Sequence, residues 1–161
     1  MRLVTDTNIW MDLQVGEVLT RAFALDARWL VTDLLFAELK SPSGSTLREW
    51  GLEVHSLDGE QLEDVVRLAG SYPRPSRPDL SALVLARAIR GVVLTGDGAL
   101  RDAAEQEKIE VHGTLWLMRR FVQGDIVAPQ EAARALDLML QHDRRLPLRQ
   151  TKVLIRKWHA D

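Results

Sequence analysis

The sequence predicts a single α/β domain: a parallel sheet of short strands flanked by helices. Three observations lead there. Short apolar runs bounded by turn residues alternate with stretches of helical apolar spacing, as a chain of βαβ units requires. The length of 161 residues suits one domain with a sizeable core. Hydrophobic residues make up 46% and charged residues 27%, a balance that excludes global disorder.

The elements follow in order. Arg2–Thr5 reads as the first strand, with a helix through about Leu13–Ala24. Trp29–Thr32 is the second strand. Asp33–Lys40 (DLLFAELK) reads as a helix capped by Thr32 or Asp33. Ser41–Thr46 (SPSGST) is a loop by composition, and Leu52–Leu57 alternates like a strand. Gly59–Ala69 is helical. Ser71–Pro78 carries three prolines and reads as a loop. Asp79–Arg90 is a strong helix closed by Gly91. Val92–Thr95 is a buried strand, Ala99–Glu107 a helix and Ile109–His112 a strand. Helices near Leu115–Gln123 and Gln130–Gln141 precede a short one before Trp158. Residues 1–128 form the α/β unit, and 129–161 a helical, basic extension packed on the same domain or at an interface.

Several function classes fall away. The chain has no cysteine, so it has neither disulfides nor a thiolate ligand or nucleophile. No pair among His55, His112, His142 and His159 has zinc-ligand spacing. No G-x-G-x-x-G or P-loop follows a strand. The N-terminus lacks a leader pattern, and no apolar run approaches the roughly 20 residues of a membrane span, so a cytoplasmic protein is expected. The net charge is −2. From Arg144 onward six basic residues face one acid, a charge of +5, which leaves −7 for the rest. Such asymmetry suits a polyanion or an acidic partner, or simply a solvated helix face.

In open parallel sheets ligands bind beyond the carboxyl ends of the strands. Asp6 directly follows the first strand, and Asp97 lies just past Val92–Thr95. Asp79 opens a helix, and Glu38 sits late in another among apolar neighbours. Singly, each has a plain use as a cap, a turn residue or a solvated side chain. Asp12 and Asp102 are further acids close by. The five tryptophans (positions 10, 29, 50, 116 and 158) suit a core or an interface.

The ordered set VTDTNIW, LLFAEL, DLSALVLA and VVLTGDGAL resembles the PIN-domain ribonuclease pattern, as in VapC-type toxins. The match runs from Arg2 to about Leu117, and IEVHGTLWLM resembles a PIN subgroup. The resemblance implies Asp6, Glu38, Asp79 and Asp97 as an acidic catalytic site binding Mg²⁺ or Mn²⁺, with Asn8 and Thr95 in support. It brings the first and fourth strands together, placing Asp6 beside Asp97. It implies hydrolysis of RNA, a small antitoxin protein as partner, and a homodimer. Asp6 and Asp97 would hold the main ion, while Asp79 and Glu38 hold a second or orient water. Arg74 and Arg77, just before Asp79, are the expected phosphate contacts.

Two alternatives stand beside this. One is a degenerate PIN scaffold that binds RNA or protein without cutting. The other is a haloacid-dehalogenase-like phosphatase, suggested by Gly96-Asp97-Gly98. Against it, Asn8 stands where that chemistry needs a second Asp, and no lysine lies between Lys40 and Lys108.

Overall fold

A computed structural model describes every residue from Met1 to Asp161. Five strands, β1 (Arg2–Thr5), β2 (Arg28–Thr32), β3 (Glu53–His55), β4 (Val92–Leu94) and β5 (Val111–His112), form one sheet in the order β3-β2-β1-β4-β5. Every pairing is parallel, as the alternation of strands and helices requires. β1 is central: Leu3 pairs with Trp29 on one side, and Thr5 with Leu94 on the other. The chain leaves β1 towards β2 and later returns to its other edge as β4, so the strand order reverses at the β1–β4 boundary. A crevice opens there at the carboxyl ends of the strands.

The helices are α1 (Thr7–Val15), α2 (Asp33–Phe36), α3 (Gly44–Trp50), α4 (Gly59–Ser71), α5 (Arg77–Ile89), α6 (Gly98–Gln106), α7 (Thr114–Gln123), α8 (Pro129–Gln141) and α9 (Leu148–Ala160), with a 3-10 turn at Leu19–Ala24. No helix is long and apolar enough to cross a membrane. A single apolar cluster of 41 buried residues joins sheet and helices. α5 lies deepest, with every residue from Leu80 to Ala86 buried. Trp10 and Trp29 are both buried, and Trp10 stacks on Phe23 with ring centroids 5.6 Å apart.

Several expected boundaries shift. α1 starts at Thr7 rather than near Leu13, because Asp6 caps it by accepting from the Ile9 amide. α2 ends at Phe36 instead of Lys40, so Glu38 lies beyond the helix. Part of the expected Ser41–Thr46 loop is instead the start of α3. Gly44 is there for packing: a Cβ would come within 2.8 Å of the Phe36 ring. The last helix is 13 residues long rather than short, since Thr151, Leu154 and Trp158 form a buried stripe along it. The proline-rich loop is shorter than expected, because Pro78 fits the first turn of α5.

α8 packs on the end of α1. A Cβ at Gly16 would meet Met139 Cε at 2.7 Å and the Ala135 Cβ at 3.2 Å, so glycine permits this close approach. The C-terminal helices are thus brought alongside the first βα unit.

Candidate active site

At the crevice the chain places Asp6 and Asp97 on either side of one hydroxyl. Asp6 is held against β4 by its own amide, which donates to the Leu94 carbonyl at 3.1 Å. Its Oδ1 accepts from the Ile9 amide at 3.1 Å, and its Oδ2 from the Thr95 hydroxyl at 2.5 Å. The same Thr95 oxygen accepts from the Asp97 amide at 3.0 Å. Thr95 is fully buried, so the bridge is fixed by its surroundings. Asp97 caps α6 through Oδ1, which accepts from the Ala99 amide at 2.8 Å. Both aspartates are therefore helix caps, as the plain reading of each allowed, yet one threonine also ties them together.

Asp79 differs. Its helix is capped by Ser76, whose hydroxyl accepts from the Asp79 amide at 3.1 Å. The Asp79 carboxylate is left half-buried, with no hydrogen bond. Burial pushes the Asp6 carboxyl up to about 6; the bonds from Thr95 and Ile9 oppose this, and the charges of Asp79 and Asp12 add to it. A Thr32–Ser81 hydroxyl contact of 2.7 Å fastens the end of β2 to α5, two residues past Asp79.

Sequence reasoning gave Asp12 no role. It lies four residues after Asn8 on α1, one turn along the same face. It is buried, and its carboxylate accepts from the Thr114 hydroxyl and from Arg144 Nε, each at 2.6 Å. Arg144, on the turn between α8 and α9, also donates to Asn8 Oδ1 at 3.3 Å. Asn8 thus faces an arginine, where sequence reasoning had it supporting the carboxylates. A cleft of about 360 Å³ opens among Asn8, Asp12, Asp97, Asp143, Arg144 and Arg145, with no hydrophobic side chain in its wall.

A family model described as PIN domain matches residues 2–160. The chain belongs to the PIN-domain family. The match runs through α8 and α9, well past the Leu117 limit of the sequence resemblance. Two solved structures share the fold. One is VapBC-1 from nontypeable Haemophilus influenzae, 15% identical, TM-score 0.52, aligned over 71% of this chain and 99% of its own. The other is PAE2754 from Pyrobaculum aerophilum, 14% identical, TM-score 0.52, aligned over 76% of this chain and 100% of its own. No curated relative matches the chain by sequence.

In this PIN domain the expected acids do not form a closed cage. No three His, Asp or Glu side chains converge to chelate an ion. Glu38 is exposed on the turn after α2 and makes no hydrogen bond or ion pair. The donor set nevertheless fits a hard, hydrated cation. Mg²⁺ keeps several waters and takes only one or two carboxylates. Both Asp79 oxygens and Asp97 Oδ2 are without a hydrogen bond, and the repulsion that Asp6 suffers from its neighbours is what a cation relieves.

Arg74 and Arg77 are exposed and lie outside the cleft. Arg74 instead lines a small pocket beside Asp102 on α6, and Asp102 is exposed. Trp10 is fully buried, in keeping with a core role.

Proposed function

We propose that this PIN domain is a divalent-metal-dependent endoribonuclease, the toxin of a toxin–antitoxin pair. The observation that carries the reading is the Thr95 bridge, which fixes Asp6 and Asp97 together at the sheet's switch point. Asp6 and Asp97 hold Mg²⁺ or Mn²⁺, with Thr95 setting their orientation. An ion held by these two carboxylates would supply a more acidic water and charge stabilisation at the scissile phosphate. Asp79, free of other hydrogen bonds, takes the proton of the attacking water. Glu38, exposed on the turn after α2, holds a second ion or orients that water. Arg74 and Arg77 lead substrate phosphates towards Asp79.

The VapBC-1 neighbour supports a small antitoxin protein as partner. A homodimer acting in the cytoplasm completes the proposal. The phosphatase alternative gains nothing, since Asn8 accepts from Arg144 and stands where a second Asp is needed. One observation favours a scaffold that does not cut: the Arg144 guanidinium already occupies Asp12 and Asn8 at the cleft.

The test is a panel of labelled RNAs incubated with Mn²⁺, with Mg²⁺ and with chelator. Cutting with metal and none with chelator is the expected outcome. Cutting that persists in chelator overturns the metal role. No cutting of any RNA by metal-loaded protein favours the silent scaffold.

A further inference from the structure

Beside the acidic cleft lies a second groove, of about 550 Å³, between α7 and the turn that leads into α9. Three arginines from three elements line it: Arg101 on α6, Arg119 on α7 and Arg145 on the α8–α9 turn. No carboxylate is among its lining residues. Six other arginines (Arg21, Arg28, Arg67, Arg87, Arg134 and Arg144) each have an acidic partner within 4 Å. These three have none. Three unpaired guanidinium groups outnumber the one carboxylate nearby, Glu110, which meets the lining His112 at 3.0 Å, and make a local positive field that suits a polyanion.

The wall adds an aromatic surface. His112 and Trp116 stack with centroids 4.4 Å apart and planes 5° from parallel. A cationic groove with an aromatic wall is how proteins hold single-stranded nucleic acid without reading its sequence. The groove also continues into the cleft, because Gly96 and Arg145 line both.

We propose that this groove binds single-stranded RNA, its phosphates on Arg101, Arg119 and Arg145, and delivers the strand past Gly96 to the acidic cleft. The proposal rests on the ribonuclease reading above and adds the path of the substrate. It also gives the C-terminal extension a task, since Arg145 and Gln150 line the groove.

The experiment measures binding in chelator, where no cutting occurs. A labelled single-stranded RNA of about ten nucleotides is titrated by fluorescence anisotropy at several salt concentrations. Wild type is compared with R101Q/R119Q/R145Q and with R145Q alone, which changes only an exposed turn residue. Each variant's melting curve is matched to wild type. The triple variant should bind at least about tenfold more weakly, with a log–log salt slope shallower by about 2, the loss of three phosphate contacts. R145Q should fall between. Unchanged affinity and slope in both variants, or no RNA binding by wild type, overturns the groove. Tighter binding of a poly-glutamate peptide than of RNA overturns it as well, in favour of a protein partner. Adding Mn²⁺ afterwards separates the two readings. RNA that is held through these arginines yet never cut leaves the groove standing and removes the nuclease. RNA that is cut with unchanged KM by the triple variant does the reverse.

Discussion

Asp6→Asn is expected to abolish metal-dependent RNA cutting and, in metal-free protein, to flatten the dependence of stability on pH. Both effects come from one buried carboxylate. Losing a carboxylate that holds the catalytic ion costs about 4 kcal/mol of transition-state stabilisation, roughly a thousandfold in rate. The pH effect follows from proton binding. The ordinary value for this carboxyl is 3.8, and in the folded protein it is about 6. Below about pH 4 both states are protonated and Asp6 imposes no penalty. Between those values the folded state binds more protons than the unfolded one, so stability falls as pH rises. Above about pH 6 the penalty levels off near 3 kcal/mol. Metal-free wild type should therefore melt higher near pH 5 than near pH 7.5, with a smaller difference in Asp6→Asn. Divalent cation should restore the wild type above about pH 6, where the ionised carboxylate gains its partner. Cutting by Asp6→Asn at the wild-type rate, or metal-free stability that rises over this range by more in wild type than in the variant, would contradict the assignment.

Arg144→Ala should be the most damaging truncation of a charged side chain in the C-terminal extension, because Arg144 alone there pairs with a buried carboxylate. The Asp12 side chain is 4% exposed and that of Arg144 19%, so the pair is largely shielded from water. Removing the guanidinium leaves Asp12 buried with only the Thr114 hydroxyl, at a cost of about 3 kcal/mol. Asp12→Asn in the same chain should recover part of the loss, because the unpaired charge is then gone. Urea unfolding reads both variants. A midpoint unchanged in Arg144→Ala would mean that the ion pair does not hold the extension to α1.

The strands were legible because their signals are local. β1, β2 and β4 are short apolar runs between turn residues, and they form within a residue or two of where the sequence put them. The acids at their ends were legible for the same reason. What escaped depends on contacts between distant residues. Gly44 looked like a loop residue until Phe36 lay against it. Asp79 looked like a cap, a role that Ser76 takes. The Asp12–Arg144 pair spans 132 positions, and no periodicity carries such a signal. The i, i+4 spacing of Asn8 and Asp12 was the one local clue to it. The basic tail was visible as charge, but which arginine enters the cleft and which line the groove is decided by the α8–α9 turn.

The measurement to make is a Mn²⁺ titration of metal-free protein near pH 7.5, with free ion followed by electron paramagnetic resonance. Wild type is set beside Asp6→Asn/Asp97→Asn, with both shown to be folded. Saturable binding by wild type that disappears in the double variant is what the Asp6–Thr95–Asp97 arrangement predicts. Equal binding by both proteins would place the ion elsewhere and contradict it.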